Sequence, residues 1–196
     1  MKKENRKAEE KIITIPTIIT ILRIILTFVV IYMIITDAKI VSIVVVFGIA
    51  AFSDWLDGAI ARRFNMTSEF GAKADMLADR FLWMGTALAF LFIWGIRGQL
   101  EIIQGVQLLL IMSREVITAP IAIIAFFSKG LFPKVRYEGK ITTFVQGFAL
   151  PALILSVIYP SWIYLSLPLS MLLGVLGTIA AIYYIKDVQK MLEKKK

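Results

Sequence analysis

The sequence predicts an all-α integral membrane protein with six transmembrane helices and a short amphipathic surface helix at its N-terminus. The 196-residue chain is 59% hydrophobic and has a mean hydropathy of +0.80, well above the apolar share of a soluble domain. Apolar runs of about 18 residues or more, the length that crosses a bilayer, recur along it. Most charged residues fall outside these runs, in the two terminal segments and in the short connections between the runs.

Each predicted helix is an apolar run that ends at a polar or turn-forming segment. Residues 1–12 are densely charged and predict a surface segment on the cytoplasmic side. The six spans are predicted at residues 16–36, 40–61, 71–96, 102–127, 141–158 and 163–185. Because no linker or repeat interrupts this pattern, we expect residues 1–196 to form one domain.

The basic residues outside the spans predict the orientation. The N-terminal segment, the loop after span two, the loop after span four and the C-terminal tail carry 5, 2, 4 and 5 Lys or Arg, against 2 on the other side. Cytoplasmic loops are enriched in Lys and Arg, so both termini are predicted in the cytoplasm. The net charge of +8 has the same explanation, and attraction to anionic lipids or phosphorylated substrates is the alternative.

The chain contains no cysteine and no histidine. This composition excludes disulfides, thiolate catalysis, an imidazole base and a His-ligated metal site. Acid–base chemistry or metal binding must therefore fall chiefly to Asp and Glu, whose oxygens suit hard cations.

Four aspartates interrupt the apolar pattern at adjoining ends of the second and third helices. Asp54 and Asp57 are three residues apart and Asp75 and Asp79 four apart, so each pair shares a helix face. A short loop joins the two antiparallel helices, which predicts that the four carboxylates converge at one membrane depth. Each charged Asp costs roughly 2.5–3.5 kcal/mol in a membrane helix, and the four would repel one another. We therefore expect Mg²⁺ or Mn²⁺ there, and two ions would suit phosphoryl chemistry.

Other interpretations of this segment remain open. The aspartates could instead pair with nearby basic side chains in a solvated cluster; these are Arg62, Arg63, Lys73 and Arg80. Small residues on the same helices indicate either close helix packing or room for a ligand; they are Gly58, Ala59, Ala61, Gly71, Ala72 and Ala74. A carboxylate-lined transporter or metal-binding membrane protein is the alternative class, although transporter sites usually lie at the midplane.

The acidic segment resembles the signature of the CDP-alcohol phosphotransferase family. The matching pattern is Asp54-x2-Asp57-Gly58-x2-Ala61-Arg62-x8-Gly71-x3-Asp75-x3-Asp79, which has eight fixed positions. The resemblance implies a transmembrane helical fold with a cytoplasmic site and an N-terminal surface helix. It also implies the reaction, in which an alcohol attacks the β-phosphorus of a CDP-linked lipid and CMP leaves.

The resemblance also implies a role for each matched residue. Asp54, Asp57 and Asp75 would bind metal, and Asp79 would be the general base and share in metal binding. The small residues would let the CDP moiety approach the helices, and Arg62 would hold a phosphate or orient an aspartate. The implied CDP-binding set is Asp54, Gly58, Ala61, Arg62, Gly71 and Asp75. Members of the family tend to form homodimers, so a homodimer is expected.

Three further stretches resemble the branch of the family whose acceptor is glycerol 3-phosphate. They are "IPTIITILRIILT", "SREVIT" and "GKITTFVQ". A phosphate-bearing acceptor would bind cationic side chains, and the candidates are Arg114, Lys134, Arg136 and Lys140. Ordinary positive-inside charge and a structural Arg–Glu pair are the alternatives. Thr142 departs from this branch, which has a second Lys at that position.

The predicted function is therefore metal-dependent transfer of a phosphatidyl group from CDP-diacylglycerol to glycerol 3-phosphate, with release of CMP. This reaction would serve phospholipid biosynthesis at a bacterial plasma membrane. The alternative is the same chemistry with phosphatidylglycerol, inositol phosphate or serine as the acceptor. Membrane lipids are the expected surroundings, and no nucleic-acid partner is expected.

Overall fold

The computed structural model describes residues 15–64, 69–129 and 137–193. Within these ranges the chain is helical and contains no strand, which confirms the predicted all-α class there. The α-helices are α1 Ile15–Ile35, α2 Ile40–Phe64, α3 Glu69–Ala89, α4 Ile102–Ile111, α5 Ser113–Lys129, α6 Tyr137–Ser156 and α7 Ile163–Glu193. A π-helical turn, Phe90–Trp94, continues α3, and a 3₁₀ turn, Pro160–Trp162, precedes α7.

Helices occupy the positions of all six predicted spans. The ends of several helices differ from the prediction, and one predicted span contains a break in its interior. At the polar ends α2, α6 and α7 extend beyond the apolar runs, because charged residues such as Glu, Lys and Arg are good helix formers. The predicted span 102–127 is two helices, α4 and α5, which are bent by 52° at the break between them.

The helices have the length and composition expected of a multi-pass membrane protein. Within the described ranges four helices are long and apolar enough to cross a membrane, or five if α4 and α5 count as one span. The part of α2 whose side chains the structure describes continuously, Ile40–Ser53, is an apolar helix shorter than a full span. The predicted surface segment 1–12 lies outside the described residues.

The helices pack around a buried apolar core. α1 packs against α2 and α3, and α7 packs against α4, α5 and α6. Phe47, Phe90 and Leu150 are fully buried in this core, whereas large apolar side chains such as Ile25 and Val175 face outward. An apolar exterior of this kind suits lipid rather than water.

The antiparallel helices give the bundle two distinct ends. We call the end where α2 finishes and α3 begins the acidic end; α5 also finishes there, and α6 begins there. At the opposite end Arg97 donates to the carbonyl oxygens of Ile34 and Ile35 at 3.5 and 2.7 Å. Arg97 also lies 3.9 Å from Asp37 Oδ1, so the turn after α3 is tied to the end of α1.

Candidate active site

The four predicted aspartates lie on α2 and α3 at the acidic end. The structure describes the side chains of Asp75 and Asp79 on α3. The helices also include six predicted site residues whose side-chain placement lies outside the described part of the structure, namely Asp54, Asp57, Gly58, Ala61, Arg62 and Gly71. The predicted convergence of all four carboxylates therefore stays a prediction.

Asp75 is held by a buried arginine of α1. Arg23 Nη1 lies 2.8 Å from Asp75 Oδ1; the arginine side chain is 0% exposed and the aspartate 41%. Arg23 Nε also donates to Ser53 Oγ of α2 at 3.5 Å. A buried charge requires a hydrogen-bonded partner of opposite charge, so Arg23 links three helices and fixes the direction of one carboxylate oxygen.

The sequence did not predict this role of Arg23, which belongs to the stretch "IPTIITILRIILT" that resembles the glycerol 3-phosphate branch. The feature that could have predicted it is a charged side chain in the middle of an apolar span. Such residues almost always face the interior of a bundle and mark a site. Nothing in the sequence indicated which aspartate it would contact.

Asp79 is held by a tryptophan one helical turn further along α3. Trp83 Nε1 donates to Asp79 Oδ1 at 2.8 Å. The indole ring is buried and packs edge-on against Phe47 of α2, with 5.2 Å between the ring centroids. A hydrogen bond to a carboxylate is stronger than one between neutral groups, and the packed ring fixes the donor, so the carboxylate has a defined orientation.

Arg80, which follows Asp79, points toward a different helix. Its guanidinium lies close to the hydroxyl group of Tyr184 on α7. Arg80 was one of the basic residues considered as a partner for the aspartates. In the described part of the structure it connects α3 to α7.

A second polar cluster lies where α4 and α5 meet. Arg114 Nε and Nη2 contact Glu115 Oε1 at 2.9 and 2.6 Å. Arg114 Nη1 reaches across to the first turns of α6 and contacts the carbonyl oxygen of Gly139 at 2.5 Å and the hydroxyl oxygens of Thr142 and Thr143 at 2.7 and 3.3 Å. One guanidinium thus connects a carboxylate of α5 to the start of α6.

Thr142 fits this arrangement. Its hydroxyl is buried, accepts from Arg114 and donates to the carbonyl oxygen of Gly139 at 2.8 Å. Thr142 therefore takes part in the contacts of Arg114 at the position where the resembled branch has a second Lys.

Two of the four candidate acceptor residues are described. Arg114 is partly buried, with 21% of its side chain exposed. Lys140 is exposed and directly follows Gly139, which Arg114 contacts. Lys134 and Arg136 lie outside the described residues. The structure therefore brings Arg114 and the α6 turn that carries Lys140 together.

The sequence of the chain matches the family described as CDP-alcohol phosphatidyltransferase over residues 13–182. The chain belongs to this family. Membership places it among transferases, which confirms the predicted enzyme class.

Curated relatives in the CDP-alcohol phosphatidyltransferase family match part of the chain. It is 45% identical over 71 residues to a CDP-diacylglycerol–glycerol-3-phosphate 3-phosphatidyltransferase of Salmonella typhimurium (strain LT2), which covers 35% of this chain and 38% of the relative. A protein of the same description from Escherichia coli (strain K12) is 39% identical over 70 residues, with the same shares. The aligned stretch spans little more than a third of the length of these relatives.

The donor atoms at the acidic end of this phosphatidyltransferase fit a hard divalent cation. They are carboxylate oxygens, the ligands that Mg²⁺ and Mn²⁺ prefer. Asp75 remains 41% exposed while it contacts Arg23, so its carboxylate is accessible to a cation. Among the side chains that the structure describes, no group of three potential ligands is close enough to hold a metal. The other two predicted ligands, Asp54 and Asp57 of α2, lie outside these described side chains.

Proposed function

We propose that this protein transfers the phosphatidyl group of CDP-diacylglycerol to glycerol 3-phosphate and releases CMP, the reaction of a phosphatidylglycerophosphate synthase. The observation that carries this proposal is the pair of α3 carboxylates, Asp75 and Asp79, each oriented by a buried donor inside the region that matches the family. The printed names of the relatives support glycerol 3-phosphate as the acceptor.

In the proposed reaction the acceptor hydroxyl attacks the β-phosphorus of CDP-diacylglycerol. The bond between this phosphorus and the bridging oxygen breaks, and the bridging oxygen leaves with CMP. Asp79 takes the proton of the attacking hydroxyl as general base. Its hydrogen bond to Trp83 holds the carboxylate in one direction, which matters because a general base must lie within hydrogen-bond reach of the proton.

The proposed cofactor is a pair of divalent ions, either Mg²⁺ or Mn²⁺. Their proposed ligands are Asp54, Asp57, Asp75 and Asp79. When bound, the metal would supply positive charge for the diphosphate and for the negative charge that develops on CMP. The contact between Arg23 and Asp75 preorganises one of these carboxylates. The CDP moiety is proposed to bind along Asp54, Gly58, Ala61, Arg62, Gly71 and Asp75.

The acceptor phosphate is proposed to bind beside α5 and α6. The candidate cations are Arg114, Lys134, Arg136 and Lys140. A phosphate group forms short charge-assisted hydrogen bonds with such side chains. The described pair, Arg114 and the turn that carries Lys140, supports this location.

We further propose six membrane spans within one domain of residues 1–196, with α4 and α5 together forming one span. The segment 1–12 is proposed to lie on the cytoplasmic surface, and both termini and the active site to face the cytoplasm of a bacterial cell. The basic loop residues support this orientation. We also propose that the protein forms a homodimer in the plasma membrane.

The test is CMP release by the purified protein in detergent with CDP-diacylglycerol, Mg²⁺ or Mn²⁺, and one acceptor per reaction. Release with glycerol 3-phosphate alone is the expected result. Release only with phosphatidylglycerol, inositol phosphate or serine would keep the chemistry and change the acceptor. No release with any acceptor from folded, metal-supplemented protein would contradict the proposal and favour a transport or metal-binding role.

A further inference from the structure

The break between α4 and α5 is stabilised by a glutamine from α6. The last carbonyl groups of a helix have no partner within that helix, and Gln146 Nε2 donates to the carbonyl oxygen of Ile111, the last residue of α4, at 2.8 Å. The same nitrogen donates to Glu115 Oε2 at 2.9 Å. Gln146 is 1% exposed, and both of its partners are acceptors, so only the amide nitrogen can face them.

Glu115 therefore connects Gln146 to Arg114 through its two carboxylate oxygens. Its Oε2 accepts from Gln146, and its Oε1 accepts from Arg114 Nε and Nη2. The remaining nitrogen of the guanidinium, Nη1, reaches the first turns of α6. The contacts form a continuous path from the break at the end of α4, through Gln146, Glu115 and Arg114, to the start of α6.

This path is the main described connection between α5 and α6. In the described ranges α5 packs chiefly on α7, and α6 packs on α7 and α2. An arginine side chain is long and loses considerable conformational entropy when it is held in one place. Without its carboxylate partner, the Arg114 guanidinium would keep its Nη1 contacts with α6 but lose the two contacts, through Nε and Nη2, that fix its orientation.

We propose that Glu115 and Gln146 are positioning residues that hold Arg114, and through it the α6 turn carrying Lys140, in place for the phosphate of the acceptor. This inference rests on the proposed function, in which Arg114 and Lys140 bind that phosphate. It predicts that a change in Glu115 or Gln146 impairs the use of the acceptor but not the use of CDP-diacylglycerol.

The test compares Gln146→Leu and Glu115→Gln with the wild type. CMP release is measured once with glycerol 3-phosphate varied and once with CDP-diacylglycerol varied. The KM for glycerol 3-phosphate should rise about tenfold or more, the effect of losing one hydrogen bond to a charged group. The KM for CDP-diacylglycerol should stay within about twofold, because its proposed site lies on α2 and α3.

Gln107→Leu is the matched control. Gln107, on α4, is also a fully buried glutamine. Its side-chain oxygen accepts a hydrogen bond from Ser166 Oγ of α7 at 3.2 Å, and neither residue belongs to the α6 turn that carries Lys140. This variant carries the general cost of removing a buried amide and should keep both KM values within about twofold. Should Gln146→Leu fail to fold, Glu115→Asp, which keeps the charge but shortens the side chain, should still raise the acceptor KM.

The outcomes separate this inference from the proposed function. If the wild type uses glycerol 3-phosphate and the folded variants have the same KM for it as the wild type, the inference is overturned and the proposed function is not. Equal changes in both KM values would also overturn it, since they would show a general structural role. A wild-type protein that uses no phosphate-bearing acceptor would overturn the proposed function and, with it, this inference.

Discussion

Arg23 is the residue with the largest consequence for the site. A guanidinium stays charged at any physiological pH, and this one is fully buried in an otherwise apolar helix. Its contacts with Asp75 and Ser53 reach both helices that carry the aspartates. A charge in such a place is retained at a cost in solvation, which is consistent with a role in preorganising the carboxylates for a cation.

We expect Arg23→Met to weaken metal binding about tenfold, the lower range for loss of a residue that orients a ligand. The reason is that Asp75 would lose the donor that fixes its Oδ1. Binding of Mn²⁺ to the purified protein, followed by electron paramagnetic resonance, measures this directly and does not depend on turnover.

Arg97→Met provides the control for that experiment. Arg97 also lies near an aspartate, Asp37, but at the opposite end of the bundle. Its loss should leave Mn²⁺ affinity unchanged. Equal Mn²⁺ affinity in the Arg23 variant and the wild type would show that Arg23 has no part in orienting Asp75.

The hydrogen bond from Trp83 to Asp79 gives the second prediction at this scale. Trp83→Phe keeps a buried aromatic ring and removes only the Nε1 donor. We expect kcat to fall about tenfold, the usual effect of losing a hydrogen bond to a charged group, because the proposed base would no longer be held in one direction. Steady-state CMP release measures kcat.

Trp94→Phe is the matched change. Trp94 is buried like Trp83, but its Nε1 has no hydrogen-bond partner in the described part of the chain. This variant should therefore keep the wild-type kcat. A Trp83 variant with unchanged kcat would argue against Asp79 as an oriented base.

Among the helices, the apolar runs of the sequence placed most elements within a few residues. The exception is the break between α4 and α5, because the sequence beside Met112 contains no proline or glycine, and the neighbouring Arg114 and Glu115 do not favour a helix end. Prolines do occur inside α5, α6 and α7, at Pro120, Pro151 and Pro168, and do not end those helices. The break depends on contacts from other helices, which local sequence does not report.

Close packing of α7 against the break gives a prediction at this scale. A Cβ at Gly177 would lie 2.3 Å from Ser113 Oγ and 3.1 Å from the backbone nitrogen of Arg114. Gly177→Ala must therefore turn the Ser113 hydroxyl away from Leu173 and shift the backbone at Arg114 slightly, and overpacking of this kind typically costs about 1–3 kcal/mol. Thermal unfolding in detergent should show a lower midpoint.

Gly48→Ala tests whether that loss is specific. A Cβ at Gly48, in the interior of α2, would meet no atom within 4 Å. Replacing an interior helix glycine by alanine is favourable by about 1 kcal/mol or less, so this variant should be unchanged or slightly more stable. A Gly177 variant as stable as the wild type would mean that α7 can move away from the break at no cost.

For the molecule as a whole, composition and signature spacing predicted the fold class and the family, because both depend on patterns among residues that are close in sequence. The contacts of the site were less accessible. Arg23 is 52 residues from Asp75, and Gln146 is 31 residues from Glu115. Only the packing of helices far apart in sequence brings these side chains together, and periodicity within one helix does not encode it.

The last prediction concerns the orientation of the whole bundle. The segments rich in Lys and Arg adjoin, in sequence, the helix ends that lie at the acidic end, so that end should face the cytoplasm. The chain has no cysteine, so single cysteines can be introduced at exposed positions without a background signal. Lys39 lies in the turn between α1 and α2 at the opposite end, and Lys190 near the end of α7 at the acidic end, and both are exposed.

A membrane-impermeant maleimide added to intact bacterial cells should label the Lys39→Cys protein directly. The Lys190→Cys protein should be labelled only after the membrane is permeabilised. The reverse pattern would place the acidic end outside the cell, away from a cytoplasmic supply of a phosphorylated acceptor. Because such an acceptor is charged and does not cross a bilayer unaided, that result would contradict the proposed orientation and the proposed substrate together.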